Sequence, residues 1–585
     1  MNKTKIVCTI GPASQDEETL RQLIQEGMNV ARLNFSHGSH EEQGNKVRLI
    51  RKLREEMQIP LAVALDTKGP EIRTGVFQNG EKITLQKGEP FTLTTRDVEG
   101  TQEMVSVSYK NLPHDVHAGM HILIDDGLLD LLVHEVKGTE IHCIVQNQGQ
   151  ISDHKGINIP GAEIHLPAMT EQDQADILFG IEAGIDMIFA SFIRTAQDVM
   201  EIRRLLQEND GGDILIFSKI ESQQGVNNLD AILDASDGVM VARGDLGVEI
   251  PTENVPLVQK EIIRKANRFG KPVITATQML DSMQRNPRPT RAEVNDVANA
   301  ILDGSDAIML SGETASGNYP LLAVRQMRVI AETTEASPDF KKLLEQRKPV
   351  ADPNVSTAIA RSACTIAGQL SAAAIVASTS GGFTGRQISR FRPDTPIIAC
   401  TPNERVYHQL SIVWGVMPVM SRMSVHTDEL VERSIVAALH TGVVHEGDQI
   451  VLTAGIPVGK GQSTNLIKVH TIGDIIISGQ GVGSGMVTGR VCVGSTLRDI
   501  SEKFQSQDIL VCKFADAELI PYIERAGGII SEEGGQSSLA AVVGSHYNRP
   551  TVIGAVNAVK VMKDGDIVTI DADTGVVYAG EVQIM

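Results

Sequence analysis

The sequence predicts an α/β protein: a TIM (β/α)8 barrel with an inserted β-barrel lid, a doubly wound α/β domain and a small C-terminal swivelling-type domain. Eight short apolar runs alternate with segments of helical period, which favours the barrel. Polar residues gather directly after most of these runs. A Gly-punctuated segment of alternating pattern interrupts the series after the third run, and further α/β units follow the eighth.

The length and composition indicate a folded protein with several domains. A chain of 585 residues exceeds the size of a single hydrophobic core, and a prior of about 100–200 residues per domain suggests three or four domains. Hydrophobic residues make up 42% of the chain and charged residues 22%, which is ordinary globular usage. The formal net charge of −20 argues against nucleic acid or a membrane surface as a partner.

The cysteines and the N-terminus indicate a reducing compartment. The six cysteines are scattered, without a CxxC pair, so reduced thiols are expected. The first residues, MNKTKIVCTIGPAS, contain too short an apolar run for a signal peptide, and no stretch reaches about 18 consecutive apolar residues. We therefore expect a cytoplasmic protein.

The eight apolar runs are predicted to be buried parallel strands, because they are apolar throughout rather than alternating. They begin at Lys5, Asn29, Leu61, Asp186, Ile214, Gly238, Pro272 and Ala307. Helical segments such as 256–268 separate them. The predicted barrel domain comprises residues 1–70 and 166–345.

Three further domains are predicted from changes of pattern. Residues 71–165 contain short alternating segments punctuated by Gly, which predict a small β-barrel lid over the strand-end face. Residues 346–472 alternate helix and strand patterns, as an open doubly wound sheet does. Residues 473–585 contain a Gly-rich stretch from Ser478 near their start and are expected to form a separate fourth domain.

We expect the catalytic residues at the C-terminal ends of the predicted strands, because TIM-barrel enzymes have their active sites there. Lys219 and Glu221 lie two residues apart, so they point to the same side if both lie on the fifth strand, and Asp245 follows the sixth. Glu221 and Asp245 suit Mg²⁺, with substrate oxygens and waters completing its shell. Lys219 offers a point charge for a transferring phosphoryl group. The alternative is a structural Lys–Glu ion pair.

Other strand ends add donors and oxygen ligands. Arg32 and Arg73 carry fork-shaped donors suited to phosphate oxygens, unless they are solvated surface arginines. Oxygen ligands for a hard cation follow the second and third strands: Asn34, Ser36, Asp66 and Thr67. Gly244 permits close backbone approach where a short helix begins, which suits a carboxylate. Thr277 and Ser311 form a candidate proton relay, although hydroxyls at strand ends are often structural.

Six segments of the chain resemble the signature segments of the pyruvate kinase family, in the same order: VARLNFSHG, LDTKGPEIRTG, MVARGDLGVEIP, ITATQMLDSM, NPRPTRAE and MLSGETA. The resemblance extends over about residues 1–470. It implies transfer of the phosphoryl group of phosphoenolpyruvate to ADP, giving pyruvate and ATP in glycolysis. It also implies Mg²⁺ (or Mn²⁺) and K⁺ as cofactors, and a homotetramer.

The resemblance implies roles for individual residues. Lys219 stabilises the transferring phosphoryl group, with Arg32, Thr277 and Ser311 as the other catalytic residues. The substrate contacts are Arg32, Gly244, Asp245 and Thr277. Mg²⁺ is held by Glu221 and Asp245, and K⁺ by Asn34, Ser36, Asp66 and Thr67, with Glu71 matching the acidic motif associated with K⁺ dependence. The nucleotide contacts are Arg73, Lys155, Asn34 and His37.

The doubly wound domain contains a turn, STSGGFTG, that resembles the effector-phosphate loop of allosteric family members. Small hydroxyl and glycine residues form a natural anion nest, and a plain turn is the alternative. The candidate contacts for a phosphorylated metabolite are Thr379, Ser380, Gly381, Gly382 and Thr384.

The C-terminal segment resembles the phosphohistidine domain of phosphoenolpyruvate-utilising enzymes, with one decisive departure. Leu539 stands where phosphocarrier relatives have the phosphorylated histidine. A leucine side chain has no nucleophile, so phosphorelay through this position is excluded. Two smaller departures, Thr195 and Ser222, replace residues that are usual near the nucleotide.

Two alternative functions remain open at this point. A metal-dependent aldolase or lyase acting on a pyruvate enolate would also use paired carboxylates, but it would not need the lid. A catalytically dead metabolite sensor would keep only the effector domain. The presence of Lys219, both carboxylates and the oxygen ligands for K⁺ argues against the sensor.

Overall fold

Eight parallel strands close into a barrel and confirm the predicted fold class. The computed structural model describes residues 3–580 except 339, 341, 343–353, 425, 446, 458–462, 474 and 495. The barrel strands are Lys5–Thr9, Val30–Asn34, Ala62–Asp66, Met187–Ala190, Leu215–Ile220, Gly238–Ala242, Val273–Ala276 and Ala307–Leu310. Each strand pairs with its neighbours in chain order, and the first pairs with the last.

Helices surround the barrel strands. They are Glu17–Glu26, His40–Met57, Glu171–Ala183, Ala196–Glu208, Gln223–Asn227, Leu229–Ala235, Arg243–Glu249, Val255–Phe269, Arg291–Asp303, Gly312–Ala315 and Pro320–Glu335, with 3-10 turns at Thr252–Asn254 and Asp281–Gln284. The sequence sets their ends locally. Ser39 and Thr290 begin their helices with capping boxes, and Gly27 and Gly304 end theirs in the left-handed conformation.

The predicted lid contains nine strands: Ile72–Arg73, Ile83–Leu85, Pro90–Thr94, Met104–Ser106, His121–Ile124, Leu129–Lys137, Glu140–Val145, Gly149–Ile151 and Gly156–Asn158. Seven form one sheet, and the strands beginning at Ile83 and Gly149 form a separate pair. The two edges of the large sheet meet through a bridge between Thr74 and Val107, which closes it into a small barrel. A helical turn at Leu112–Asp115 and a 3-10 turn at Gln78–Gly80 complete the lid.

The α/β sheet after the barrel contains strands Ala374–Ser378, Ile397–Thr401, Val416–Met420, Gln449–Ala454 and Leu466–Thr471. The strand that begins at Ala374 lies in the middle, and the last strand pairs antiparallel at one edge. Its helices are Val355–Gln369, Phe383–Ser389, Glu404–Gln409 and Thr427–Leu439, with a 3-10 turn at Leu410–Ile412. The predicted boundary at 345/346 lies outside the described residues.

The remaining strands form a separate eight-stranded sheet. They are Ile475–Ser478, Gln480–Val482, Met486–Val493, Ile509–Cys512, Gly528–Ser531, Thr551–Ile553, Ile567–Asp571 and Val576–Ala579. The accompanying helices are Leu497–Ser501, Ile520–Ile523, Leu539–His546 and Ala558–Val561, with a 3-10 turn at Ala517–Leu519.

The chain divides into two compact units. The first comprises residues 1–357, 385–394 and 403–418 and therefore contains both the barrel and the lid. The second comprises 358–384, 395–402 and 419–585. In the described part of the chain, no helix is long and apolar enough to cross a membrane.

Candidate active site

Lys219 lies at the centre of a buried cluster at the C-terminal end of the fifth barrel strand. The residue is only 9% exposed. The Nζ atom donates to Ser191 Oγ at 2.8 Å and to Asp66 Oδ1 at 3.2 Å, and it lies 3.0 Å from Glu221 Oε1. The strand ends at Ile220, so Glu221 lies one residue beyond it rather than on it, and the two side chains still meet.

Asp66 joins the two cations of the site. One carboxylate oxygen accepts from Arg32 Nε at 2.6 Å, and the other accepts from Lys219. Arg32 also donates to Thr9 Oγ1 at 2.8 Å. Burial by itself raises the pKa of Asp66, but the two adjacent cations outweigh it and hold that pKa below its ordinary value. Asp66 is therefore an anion that orients Arg32 and Lys219 together.

Burial also lowers the pKa of Lys219 when taken alone. The carboxylates of Asp66 and Glu221 outweigh this effect and hold the pKa of Lys219 above its usual value. The ammonium is thus kept charged at neutral pH. A fixed positive charge in a buried site suits the negative charge of a transferring phosphoryl group.

Glu221 and Asp245 form the predicted pair of carboxylates. Burial raises the pKa of Glu221 to about 7, and the nearby Asp245 adds to this effect. Lys219 lowers the pKa of Glu221 but does not outweigh burial, and its ammonium also contacts Asp66. Burial also raises the pKa of Asp245, and Asp126 adds to that effect. The Oε1 atom of Glu221 is buried and makes no hydrogen bond among the described residues.

These carboxylates fit a divalent cation. A cation would neutralise the buried Glu221 and the half-buried Asp245, which repel each other, and it would bind Oε1 of Glu221, which has Lys219 Nζ 3.0 Å away but makes no hydrogen bond within the described part of the chain. The described residues contain no group of three or more His, Cys, Asp or Glu side chains placed to hold a metal. Two carboxylates therefore leave most coordination positions to water and substrate oxygens, as Mg²⁺ prefers.

The four predicted K⁺ ligands lie where the second and third strands end. Asn34 and Asp66 are direct partners in the strand register. Asn34 Oδ1 accepts from the Ser36 amide, and Thr67 Oγ1 accepts from the Ser191 amide at 3.0 Å. All four offer oxygen atoms, and such a donor set fits a hard cation rather than a transition metal.

The residues predicted to bind the substrate carboxylate meet at the start of the short helix Arg243–Glu249. The Gly244 amide donates to Thr277 Oγ1 at 2.9 Å. Thr277 has a positive φ of 67°, which is strained for a β-branched residue. Arg243 stabilises this turn by donating to the Thr277 carbonyl at 2.6 Å.

Thr277 and Ser311 are not joined by any hydrogen bond in the described part of the chain. The Thr277 hydroxyl donates to the Ala276 carbonyl at 2.7 Å. The Ser311 amide donates to Glu313 Oε2 at 2.8 Å, and the other oxygen of Glu313 accepts from the Leu280 amide. The predicted relay through both hydroxyls therefore stays a prediction.

The predicted nucleotide contacts line two different cavities. Arg73 and Lys155 line a cavity of about 460 Å³ between lid and barrel, which Asp245 also reaches. There Arg73 pairs with Glu71, and Lys155 Nζ donates to Asp125 Oδ1 at 2.9 Å. Asn34 and His37 line a cavity of about 570 Å³ beside the ends of the first and second strands.

The predicted effector loop lies between strand Ala374–Ser378 and helix Phe383–Ser389. Thr379 and Thr384 are buried, and Thr384 Oγ1 lies 2.9 Å from Thr464 Oγ1. Gly382 has a φ of 77°, in the region that favours glycine. Ser380 and Gly381 are exposed at the tip of the loop.

The departures from the family pattern have structural roles. Leu539 begins helix Leu539–His546, which Ser538 caps, and its side chain packs against a buried apolar cluster. Thr195 and Ser222 each cap a helix through their hydroxyls.

The sequence interpretation missed Ser191 and Phe192. Ser191 contacts Lys219, and the Phe192 amide donates to Glu221 Oε2. Both residues directly follow the fourth barrel strand. The strand-end rule, applied to that strand as well, would have identified them.

The fold and the site together define a barrel phosphotransferase. The family description "Pyruvate kinase, barrel domain" matches residues 1–324, "Pyruvate kinase, alpha/beta domain" matches 357–470, and "PEP-utilising enzyme, mobile domain" matches 504–575. The chain belongs to the pyruvate kinase family, as its motifs predicted, and its function is that of a pyruvate kinase. Membership implies a divalent metal requirement.

Individual relatives agree with this assignment. Proteins described as pyruvate kinase from Staphylococcus haemolyticus and from Staphylococcus aureus (strain MRSA252) are each 49% identical to this chain over 587 aligned residues, and the match covers 100% of both chains. A crystal structure of a pyruvate kinase from Cryptosporidium parvum superposes with a TM-score of 0.76 at 41% identity. It covers 80% of this chain and 96% of its own.

Proposed function

We propose that the cluster around Lys219 transfers the phosphoryl group of phosphoenolpyruvate to ADP, giving pyruvate and ATP, as a step of glycolysis in the cytoplasm. The observation that supports this proposal best is that Asp66 anchors two cations beside the buried Glu221 and the half-buried Asp245. The bond between phosphorus and the enolate oxygen breaks, and an oxygen of the ADP β-phosphate bonds to the phosphorus. The enolate then takes up one proton at carbon to become pyruvate.

Arg32 and Lys219 act on the phosphoryl group during transfer. Arg32 presents a planar fork that suits two phosphoryl oxygens, and Lys219 supplies a compact charge. Because Asp66 holds both cations before substrate arrives, little reorganisation is needed in the transition state.

The metal sites use the residues already described. Glu221 and Asp245 would hold Mg²⁺, which would neutralise charge on the phosphoryl oxygens. Asn34, Ser36, Asp66 and Thr67 would hold K⁺, which would add positive charge to the site.

The other contacts orient the substrates. The Gly244 amide and the Thr277 hydroxyl bind the carboxylate, and Thr277 with Ser311 delivers the proton to the enolate carbon. Arg73, Lys155, Asn34 and His37 contact the nucleotide. We extend the proposal to a homotetramer whose loop 379–384 binds a phosphorylated metabolite.

A coupled assay tests the reaction. With phosphoenolpyruvate, ADP, Mg²⁺ and K⁺, lactate dehydrogenase should convert the pyruvate formed and oxidise NADH. Omitting ADP should abolish the signal, whereas a lyase that forms pyruvate from its own substrate would not require ADP. No turnover by the folded protein would refute the proposal.

A further inference from the structure

The segment Ser191–Phe192 contacts both members of the Lys219–Glu221 pair. The Ser191 hydroxyl accepts from Lys219 Nζ at 2.8 Å, while the adjacent Phe192 amide donates to Glu221 Oε2. Phe192 has a positive φ of 55°, so the backbone bends sharply directly after the fourth strand. This bend allows consecutive residues to reach the ammonium and the carboxylate.

The loop after the third strand holds this segment in place. The Ser191 amide donates to Thr67 Oγ1 at 3.0 Å, and the Ser191 hydroxyl donates to the Thr67 carbonyl at 2.6 Å. A Cβ atom on Gly69 would lie 2.8 Å from Ser191 Cβ and 2.9 Å from a ring carbon of Phe192. The loop therefore approaches so closely that only glycine fits there.

These partners determine the direction of the Ser191 hydroxyl. Its single proton is donated to the Thr67 carbonyl at 2.6 Å, which is much closer than the other acceptor, Asp66 Oδ1, at 3.4 Å. A lone pair of the oxygen is therefore left to accept from Lys219. Because Ser191 is only 3% exposed, water does not compete easily for that position.

The ammonium of Lys219 has three protons, and two of them have fixed acceptors. One N–H group donates a hydrogen bond to Asp66 Oδ1, and another donates to Ser191 Oγ. The third direction remains on the side of Glu221 Oε1, which lies 3.0 Å away but makes no hydrogen bond. Two fixed bonds thus aim the remaining N–H bond.

We propose that Ser191 is a positioning residue that, together with Asp66, orients the Lys219 ammonium so that its third N–H bond points to the Glu221 side of the site, where the phosphoryl group is transferred. This inference rests on the proposed function of Lys219. In this scheme Ser191 contacts no substrate atom and affects the reaction through Lys219, while its bonds to Thr67 hold it in place. Its loss should therefore lower turnover while leaving phosphoenolpyruvate binding nearly unchanged.

The test compares Ser191→Ala and Ser191→Cys with wild type. The alanine variant removes the acceptor, and the cysteine variant restores volume but offers sulfur, a weak acceptor. We expect kcat to fall about 10- to 100-fold in both variants, as loss of a charge-assisted hydrogen bond does. The KM for phosphoenolpyruvate, and its affinity measured by calorimetry with Mg²⁺ but without ADP, should each change less than about threefold.

Ser305→Ala is the matched control. Ser305 is a buried barrel serine whose hydroxyl also has two partners, Thr275 Oγ1 and the Ala300 carbonyl, both at 2.8 Å. We expect it to lower the melting temperature as Ser191→Ala does but to keep the wild-type kcat.

The outcomes separate the inference from the proposed function. A wild-type protein without turnover would refute the proposed function itself. Active wild type with unchanged kcat in Ser191→Ala would refute only the positioning role. A normal kcat in Ser191→Cys would show that volume matters rather than the hydrogen bond, and an equal loss in Ser305→Ala would show a general effect of barrel stability. Either result overturns the inference.

Discussion

Replacing Lys219 by Met tests the centre of the proposed mechanism. The side chains have similar lengths, so the change removes the charge and its hydrogen bonds while largely filling the same buried space. Lys219 Nζ contacts Ser191, Asp66 and Glu221, all within 3.2 Å. Removing one preorganised donor typically costs about 10²- to 10³-fold in kcat, and the loss of a full charge places the expected fall at the upper end or beyond.

The effect on stability can also be worked from the contacts. Breaking a buried ion pair costs about 3–5 kcal/mol when a charge is left uncompensated. Here Asp66 keeps Arg32 as its partner, and Glu221, whose pKa burial has raised to about 7, can take up a proton. We therefore expect the lower end of that range, about 3 kcal/mol of unfolding free energy.

The assay combines turnover, binding and denaturation. Coupled kinetics give kcat and KM, calorimetry gives phosphoenolpyruvate affinity, and urea unfolding gives stability. Lys5→Met is the matched control, because Lys5 is a 1% exposed barrel lysine at the start of the first strand, where its Nζ donates to the Val416 carbonyl. We expect the control to keep its kcat. A Lys219→Met variant with kcat within tenfold of wild type would refute the role of the charge.

Two further predictions concern regions away from Lys219. His408 is 4% exposed, and burial, reinforced by Arg54 and Arg51, lowers its pKa to about 3. Since the unfolded state binds this proton more tightly, stability should fall by up to about 1.4 kcal/mol per unit as pH drops from 6.5 towards 3. His408→Gln should flatten the dependence of the unfolding free energy on pH, whereas a change at the exposed His117, His117→Gln, should not. Equal slopes in the His408→Gln variant and the wild type would contradict the low pKa of His408. A chain that ends after residue 472 should have a kcat within about threefold of the full-length value, because every proposed catalytic group lies upstream. A truncated protein that folds but is inactive would show that the last domain takes part in catalysis.

The strands and their ends were predictable because the responsible rules are local. A buried parallel strand is apolar throughout, and all eight predicted barrel strands are confirmed within one or two residues of their bounds. The predicted helix 256–268 is observed as Val255–Phe269.

Contacts between distant segments were not predictable from spacing. The same-side argument for Lys219 and Glu221 was conditional on both lying on the fifth strand, but the strand ends at Ile220. Asn34 and Arg73 are both predicted nucleotide contacts, yet they line separate cavities, because the lid and the barrel each position their own residues.

The sequence by itself determined the domain types, the family and the chemical groups available at the strand ends, because these follow from hydrophobic period and short motifs. Only the tertiary structure decided which of those groups form hydrogen bonds with one another. The two carboxylate oxygens of Asp66 accept hydrogen bonds from Arg32 and Lys219, and the Ser191 hydroxyl accepts a further hydrogen bond from Lys219. These contacts join three strands and the loop after a fourth, so they depend on register and burial that no single segment contains.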